Sequence, residues 1–501
     1  MRIWGQGWGI RVWGPRAAAL MALFVATGKC ASLAEKIDRV LASSKAFWGI
    51  EVVDLESGKT LYRWNADRFF VPASNTKLFT TAMALSRLGP DFTLQTRVVA
   101  DAAPDAHGRI AGPLRLVGGG DPNLSARAIP YQRGPVTGNP LAAIDDLADQ
   151  IAARGVKRVD GDIVGDDTWY VWEPYAAGWG IEDPESDDGP PISALTINDN
   201  AFAVTVEPGA RPGDIAELTL NPPIEPFRID NRVLTAAPGN ERRIRYSRLP
   251  GSQDLHLWGA VSQPQTLVFA LDDPARYAAA ALRSALEDRG IAVPGSAVAL
   301  HEYPEEVADL TQGAPVPPPS GLELARRVSA PFFEDLRITD KVSQNLHAEL
   351  ALRAVARARR NIGSFEAGLE ELKTFLAEIG VAEEEYNIRD GSGLARLNLV
   401  TPSAVVKLLG FMYSSPYHAP WMALLPVGGE DGTLSSRFTG TPAAGRVHAK
   451  TGSLSRVSAL SGYIQRLNGK WVVFSILVNN YNAPTAEVRG AMDHICNLIV
   501  E

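Results

Sequence analysis

Both ends of this 501-residue chain predict strands of the same kind, and a long middle segment of different texture separates them. Residues 46–55 are apolar and β-rich, and residues 60–64 return as a second strand after a Glu-Ser-Gly-Lys turn. Near the other end, three strands and a closing helix are predicted, at residues 446–451, 458–465, 470–478 and 484–500. One sheet built from both ends of the chain and covered by helices accounts for this pattern.

The middle segment, about residues 100–320, is rich in glycine, proline and aspartate and carries many short β-like runs. Its strand spacing predicts one or two small β-rich domains inserted into the first domain. We therefore expect one domain from residues 35–100 and 321–501, and inserted domains within residues 101–320. Helices are predicted after the insert, at residues 320–360 with a break at 340–345, at 364–379 and at 402–412.

Charge and composition exclude two classes of protein. The formal net charge is −8, whereas a nucleic-acid binder shows a clustered basic excess. Beyond the N-terminus, no stretch has the roughly 20 apolar residues that a membrane-spanning helix needs. With 46% hydrophobic and 21% charged residues, the chain is expected to fold as an ordinary globular protein with a sizeable core.

The N-terminus has the pattern of an export signal. An apolar run of 12 residues at 17–28 is too short to span a bilayer and suits the centre of a signal peptide. Three arginines precede this run: Arg2, Arg11 and Arg16. We expect a signal peptide within residues 1–34, cleaved after Gly28 or Ala34. A buried N-terminal helix is the alternative interpretation.

Ser74-Asn75-Thr76-Lys77 is the first of three short motifs that carry chemistry. Ser74 precedes a helical run, so it is expected at a helix N-terminus, where free backbone N–H groups favour negative charge. A serine in that position can attack a carbonyl and leave the oxyanion near N–H donors. Lys77, one turn away on the same face, can accept the hydroxyl proton if burial and a second cation lower its pKa. A plain serine cap with a surface lysine is the alternative.

Ser343-Gln344-Asn345 is the second motif, at the predicted break between two helices. Ser343 can relay a proton towards a leaving amine, and the Asn345 amide can hold a backbone carbonyl of a peptide. The alternative is a turn between helices that these polar side chains merely stabilise.

Lys450-Thr451-Gly452 is the third motif, on the first of the three C-terminal strands. Lys450 would supply the second cation, and Thr451 can hydrogen-bond a C-terminal carboxylate. Gly452 leaves room for a ligand along the strand edge. The backbone N–H of Ser453 is a candidate second oxyanion donor beside that of Ser74. An edge-strand lysine that prevents aggregation is the alternative.

Each motif is weak alone, but each pattern occurs once and the three stand in one order. Ser-x-x-Lys, Ser-x-Asn and Lys-Thr-Gly together form the residue set of serine enzymes that open the acyl-D-Ala-D-Ala bond or its β-lactam mimic. The seven histidines show no metal-binding spacing, and no serine has a Gly-x-Ser-x-Gly context. A Ser-His-Asp hydrolase is therefore disfavoured, and no metal or other cofactor is predicted.

With these motifs the chain resembles the penicillin-recognising serine D,D-peptidases. Lys77 and Ser343 are 266 positions apart. With this long gap the chain resembles one branch, the low-molecular-mass class C penicillin-binding proteins. These form the D-Ala-D-Ala carboxypeptidase/endopeptidase family, whose members carry a long insert at this place. One departure is Gln344, where Asp or Asn is more usual. Further stretches agree with the resemblance, at residues 118–122, 167–168, 193–195, 390–394 and 429–433.

The resemblance implies an α/β (α+β) penicillin-recognising serine transpeptidase/β-lactamase-like fold. A mixed sheet between helices would be interrupted by inserted domain II, itself interrupted by domain III. The implied function is a periplasmic serine D,D-peptidase that trims or cuts peptidoglycan stem peptides through an acyl-enzyme, with β-lactams as covalent inhibitors at Ser74. The family also holds the side-chain end of the stem peptide with an acidic residue on the insert and an arginine after Asp-Gly-Ser-Gly. Asp167 and Arg396 match those two positions.

Two other functions stay open at this point. A β-lactamase or esterase on the same fold would use the same motifs but differ in deacylation, and the long insert argues against it because β-lactamases are compact. A catalytically inactive peptidoglycan-binding protein would keep the fold without the reaction, and the intact motif set argues against it.

Overall fold

The computed structural model of the chain describes residues 31–134, 136–249, 251–304, 309–315 and 320–501. Residues 1–30 of the predicted signal peptide lie outside these ranges. Within them, no helix combines the length and the apolar character needed to cross a membrane.

The elements fall into three consecutive groups. The first group is α1 (Leu33–Ala42), β1 (Phe47–Asp54), β2 (Thr60–Trp64) and α2 (Thr76–Leu88). The second group is β3 (Gln95–Ala100), β4 (Arg109–Ile110), β5 (Leu114–Val117), α3 (Ala142–Ala153), β6 (Arg158–Val159), β7 (Ile163–Val171), β8 (Ala201–Glu207), β9 (Glu217–Asn221), β10 (Arg228–Thr235), β11 (Arg242–Ser247), β12 (Asp254–Val261), β13 (Gln265–Ala270), α4 (Pro274–Asp288), β14 (Ala297–Glu302) and β15 (Leu322–Val328). The third group is α5 (Phe332–Lys341), α6 (Asn345–Arg360), α7 (Phe365–Glu378), β16 (Tyr386–Asn387), β17 (Leu399–Val400), α8 (Pro402–Ser414), α9 (His418–Leu424), β18 (Val447–Leu454), β19 (Val457–Gln465), β20 (Trp471–Asn479) and α10 (Thr485–Val500).

A five-stranded sheet joins both ends of the chain, in the order β18-β19-β20-β1-β2, and all its neighbouring strands are antiparallel. Alternate residues of each strand face opposite sides. On β19, Leu460 and Ile464 pack with α1 and α10, whereas Ala459 and Tyr463 pack with α2 and with helices α5 to α9. Because helices cover both faces, the central strands are apolar on both sides. The predicted fold class is confirmed.

The middle segment has its own hydrophobic core. Its largest sheet has the order β14-β7-β5-β3-β15, with two parallel pairs followed by two antiparallel ones. Two three-stranded sheets, β10-β12-β11 and β13-β8-β9, are formed by the chain between β7 and β14. The outer strands β3 and β15 span residues 95 to 328. We therefore propose residues 95–328 as the inserted region, slightly wider than the predicted 101–320.

Two features of the middle of the chain differ from the prediction. Residues Leu322–Val328 form β15 and not the start of a helix, because Leu324 and Ala325 are buried where this strand pairs with β3. Tertiary pairing here overrides the local helical preference. The inserted region also contains α3 and α4, of 12 and 15 residues, which the many β-like runs around them concealed. The predicted break at 340–345 is confirmed, since α5 ends at Lys341 and α6 begins at Asn345.

Helix α1 begins with a reciprocal cap between Ser32 and Glu35, in which each side chain accepts a hydrogen bond from the other residue's backbone N–H. Cleavage of a signal peptide after Ala34 would remove Ser32 and the first turn. Cleavage after Gly28 would leave the cap intact.

The hydroxyl of Tyr463 ties the sheet to the helices that cover it, and its removal gives a test of the fold. It accepts a hydrogen bond from the Trp421 indole at 2.8 Å and donates to the Leu409 carbonyl at 2.7 Å, all in the buried core. Tyr463→Phe leaves the Trp421 indole N–H buried and unpaired and removes the bond to the Leu409 carbonyl, so we expect the free energy of unfolding to fall by about 1–3 kcal/mol. Urea-induced unfolding followed by tryptophan fluorescence measures this loss.

Tyr62→Phe is the matched control for this variant. The Tyr62 hydroxyl donates to Asp38, whose side chain is exposed and can bond to water once the hydroxyl is gone. We expect a loss of about 1 kcal/mol or less. Equal losses in the two variants would contradict the role assigned to Tyr463.

Candidate active site

The first motif lies where a single 3-10 turn that starts at Ala73 runs directly into α2. Ser74 is half-buried at this junction, and Lys77, one turn further on, is fully buried. Two glycines from other segments allow their backbones to approach the turn closely. A Cβ at Gly393 would lie 1.9 Å from the Ala73 carbonyl oxygen, and a Cβ at Gly452 would lie 2.6 Å from the Pro72 carbonyl oxygen. Backbone from the Asp-Gly-Ser-Gly loop and from the third motif therefore encloses Ser74.

The Lys77 ammonium connects the first motif to the second. Its Nζ donates to Ser74 Oγ at 3.1 Å, to Asn345 Oδ1 at 2.6 Å and to the Ser392 carbonyl at 2.7 Å. These acceptors match the three N–H groups of a charged lysine, and a neutral amine in the same place can take a proton from Ser74. Burial lowers the pKa of Lys77 to about 8, although four nearby carboxylates oppose this shift.

The second motif forms the turn between α5 and α6. Ser343 has φ 65°, in the left-handed region that a residue just after a helix often adopts and that glycine adopts most easily. Gln344 caps α6, since its side-chain oxygen accepts from the Leu346 N–H at 3.0 Å. The Asn345 amide donates to the Asp188 carbonyl at 2.7 Å, so this side chain contacts the inserted region as well as Lys77.

The third motif lies on β18, the edge strand of the sheet. Lys450 is fully buried, and its Nζ donates to Ser343 Oγ at 2.8 Å and to the Thr451 carbonyl at 3.0 Å. The Thr451 hydroxyl donates to the Thr433 hydroxyl at 2.8 Å. Burial and repulsion from Lys77 lower the pKa of Lys450 to about 7. Burial is the main cause of the lowered pKa at both lysines, and the repulsion between them acts in the same direction.

The backbone of β18 turns one set of its N–H groups towards the cleft. The Ala449 N–H donates to the Pro426 carbonyl, and the Val447 carbonyl accepts from the Gly428 N–H in the same loop. The backbone N–H and C=O groups of the odd-numbered residues of β18 therefore point away from β19. By this two-residue alternation the Ser453 N–H also points away from β19. It faces the cleft that Ser74 lines.

Two buried carboxylates shape the loop that supplies the Ser392 carbonyl to the lysine. Asp390 accepts from the Gly393 N–H at 2.7 Å and from the indole of Trp179, in the inserted region, at 3.0 Å. Glu349 of α6 accepts from the Ser392 N–H at 2.8 Å. The loop beside Ser74 is therefore held from both the helical layer and the inserted region.

Sequence reasoning did not assign a role to several of these groups. Burial raises the pKa of Glu349 and of Asp340, which accepts from a threonine of α2, to about 7. In a sequence, acids on helices are typical of a solvated surface, so nothing marked these two as buried. Asp390 and Thr433 did have a signal, because both stand in the glycine-containing stretches that support the family resemblance.

The three motifs border a cleft of about 470 Å³ that is also lined by Asp188, Arg437 and Arg489. Arg489 donates to Ser453 Oγ at 2.8 Å, and Arg437 donates to Asp493 Oδ1 at 3.1 Å. The structure brings together eight of the residues predicted from sequence, six on the cleft wall and the two lysines behind it: Ser74, Ser343, Asn345, Thr451, Gly452, Ser453, Lys77 and Lys450.

Two residues predicted to bind substrate lie elsewhere. Asp167 is only 1% exposed, and its carboxylate accepts from Ser193 Oγ at 2.8 Å and lies 2.9 Å from His301 Nδ1. It is absent from the described residues that line the cleft, and its carboxylate contacts groups of the inserted region, so its role in substrate binding stays a prediction. Arg396 is exposed and donates to the Ser455 carbonyl at 2.8 Å, just beyond β18, and its role stays a prediction.

Comparisons with known proteins agree on one family. The model of the D-Ala-D-Ala carboxypeptidase 3 (S13) family matches residues 32–498. The chain is 36% identical to a D-alanyl-D-alanine carboxypeptidase of Actinomadura sp. (strain R39), over 92% of this chain and 84% of that protein. It is 31% identical to the carboxypeptidase DacB of Mycolicibacterium smegmatis, over 89% of this chain and 79% of that protein.

The fold has a solved counterpart in penicillin binding protein 4 of Haemophilus influenzae. The TM-score is 0.78, and the match covers 93% of this chain and 99% of that structure at 24% identity. The family model spans all three motifs and the whole inserted region. The chain therefore belongs to the D-Ala-D-Ala carboxypeptidase 3 (S13) family, and the prediction of a serine-type D-Ala-D-Ala carboxypeptidase is confirmed.

Proposed function

We propose that Ser74 is the nucleophile with which this enzyme hydrolyses the D-Ala-D-Ala bond of peptidoglycan stem peptides, and that β-lactams acylate the same atom. The observation that carries the proposal is the position of Lys77, whose buried Nζ donates to Ser74 Oγ at 3.1 Å. The same Nζ also bonds to the second motif, so the nucleophile, the proton acceptor and the second motif share one hydrogen-bond network.

Acylation begins when neutral Lys77 takes the hydroxyl proton as Ser74 Oγ bonds to the carbonyl carbon. The oxyanion forms between the backbone N–H groups of Ser74 and Ser453. The carbon–nitrogen bond then breaks, and the leaving amine takes a proton that Lys450 supplies through Ser343 Oγ, to which it already donates at 2.8 Å. In the second half of the reaction the oxygen of a water molecule bonds to the acyl carbon, and the proton that it loses returns through Ser343 Oγ to Lys450. The bond from the acyl carbon to Ser74 Oγ then breaks, and Lys77 gives its proton back to Ser74.

The substrate is held by its terminal carboxylate and its backbone. The Thr451 hydroxyl, oriented by Thr433, bonds to the carboxylate, and the positive charges of Lys450 and Arg489 attract it. The Asn345 amide has two N–H groups, and the one that does not bond to the inserted region is available for a substrate carbonyl.

We place the reaction in the periplasm, beside the peptidoglycan that supplies the stem peptides. The predicted export signal supports this location. Both a carboxypeptidase and an endopeptidase reaction fit the same chemistry, because each cleaves a bond after a D-Ala acyl group.

Ser74→Ala tests the identity of the nucleophile. A fluorescent penicillin should label the wild type covalently, at one label per chain, and should not label Ser74→Ala. Release of D-Ala from a diacetylated tripeptide should be lost with it. Ser86→Ala is the matched control, since Ser86 lies on the same helix and bonds only to a methionine sulfur among the described residues. Labelling of Ser74→Ala, or none of the wild type, would refute the assignment.

The pH dependence of acylation tests the part played by Lys77. Acylation needs Lys77 neutral and Lys450 protonated, and burial lowers their pKa values to about 8 and about 7. The acylation rate should therefore rise from pH 6, pass through a maximum between pH 7 and pH 8 and fall at higher pH. Lys77→Arg stays charged across this range and should acylate at least about 100-fold more slowly at every pH.

Stopped-flow kinetics with a penicillin that has no titrating group in this range measures both profiles. A wild-type rate that does not change between pH 6 and 9 would show that Lys77 is not the proton acceptor. So would a Lys77→Arg profile that equals that of the wild type.

A further inference from the structure

A chain of charged side chains joins the inserted region to the back of the second motif. Asp199, on the turn before β8, accepts from Arg127 Nε at 2.8 Å and from Gln344 Nε2 at 3.3 Å, and lies 3.2 Å from His347 Nε2. On its other side, His347 Nδ1 lies 2.7 Å from Asp335 Oδ1. Arg127 and Asp199 belong to the inserted region, whereas the other three residues belong to α5, α6 and the turn between them.

The charges along this chain alternate. His347 is fully buried between two carboxylates, an arrangement that favours a proton on both ring nitrogens. Burial opposes this, but the neighbouring Asp335 and Asp199 raise the pKa of His347 to about 9. His347 and Arg127 in turn hold the pKa of Asp199 below its usual range despite its burial. The charges therefore alternate from Arg127 and Asp199 of the inserted region to His347 and Asp335 of the first domain, in the order positive, negative, positive, negative.

Gln344 links this chain to the geometry of the catalytic turn. Its oxygen caps α6 at the Leu346 N–H and its nitrogen donates to Asp199, so both ends of the amide are fixed. On either side of it stand Ser343 and Asn345, whose side chains meet the two lysines. A non-glycine residue in the left-handed region is strained and persists only where its surroundings hold it. The hydrogen bond from Gln344 to Asp199 is one such constraint, because Gln344 directly follows Ser343 in the turn.

The turn that carries Asp199 is itself tightly specified. Three consecutive residues, Asn198, Asp199 and Asn200, have φ values of 46°, 55° and 53°, which asparagine and aspartate tolerate better than other non-glycine residues. The Asn200 amide accepts from the Ile197 N–H at 3.0 Å and donates to the Pro191 carbonyl at 2.8 Å. The carboxylate of Asp199 is therefore delivered to a fixed position against α6.

We propose that Asp199 is a positioning residue for acylation, which acts through Gln344 and His347 to hold the catalytic turn in place. The inference rests on the proposed function and deepens it. The inserted region then contributes to the chemistry of a site whose catalytic side chains all come from the first domain.

Two variants remove this constraint without removing a catalytic group. Asp199→Asn keeps the shape of the side chain and removes its charge. Gln344→Glu keeps the length of the side chain and its capping oxygen but has no N–H to donate to Asp199. Asp273→Asn is the matched control, because Asp273 is another inserted-region aspartate beside an imidazole, 3.6 Å from His301 Nε2, and does not line the cleft.

The measured quantity is the rate constant for acylation by a fluorescent penicillin, separated from the preceding binding constant by varying the penicillin concentration. We expect this rate constant to fall by about tenfold to a hundredfold in Asp199→Asn and in Gln344→Glu, with the binding constant and the final one-to-one labelling unchanged. Asp273→Asn should acylate at the wild-type rate.

The double variant shows whether the two residues act through one contact. If they do, Asp199→Asn combined with Gln344→Glu is no slower than the slower single variant. Multiplied losses, or folded single variants that acylate at the wild-type rate, would overturn the proposal. Gln344→Glu decides alone if Asp199→Asn does not fold. A wild type that takes no label would overturn the proposed function, a result separate from either of these.

Discussion

The ammonium group of Lys77 is the junction on which the rest of the site depends. It is fully buried, and a buried charge is tolerated only where hydrogen-bond acceptors replace water. Its three acceptors come from three parts of the chain: Ser74, Asn345 and the Ser392 carbonyl. Each of those parts must therefore be held in place, which explains why glycines, a left-handed serine and two buried carboxylates surround one lysine.

The electrostatics of the site follow from the same burial. Desolvation brings the pKa values of Lys77 and Lys450 down to about 8 and 7, and those of Asp340 and Glu349 up to about 7. Groups that differ by several units in water therefore titrate close together near neutral pH. The two lysines, which contact Ser74 and Ser343, can therefore gain or lose a proton at low cost near neutral pH. This suits an enzyme that must first remove a proton from Ser74 and later give one to a leaving group.

The inserted region borders the site at several points. It supplies the Trp179 indole to Asp390, the Asp188 carbonyl to Asn345 and the Asp199 carboxylate to the second motif. These contacts give a physical reason for a long insertion between the first two motifs, since each of them supports a group that touches Lys77 or Ser343.

The parts of the site that could be predicted from sequence are those whose chemistry depends on residue type and short spacing. The three motifs and the sheet made from both ends of the chain were of this kind. The role of Asp167 could not be judged, because its burial against Ser193 and His301 depends on residues up to 134 positions away. Strand β15 and the buried acid Glu349 were missed for the same reason, since partners distant in sequence decide both.

The central claim is that Lys77 is buried and can be neutral near physiological pH. The most direct test is an NMR titration of protein that carries lysine labelled with ¹³C at Cε, with the Lys77 signal assigned by its loss in Lys77→Arg. The account predicts that this signal titrates with a pKa of about 8. A pKa near the ordinary lysine value of 10.5 would contradict it.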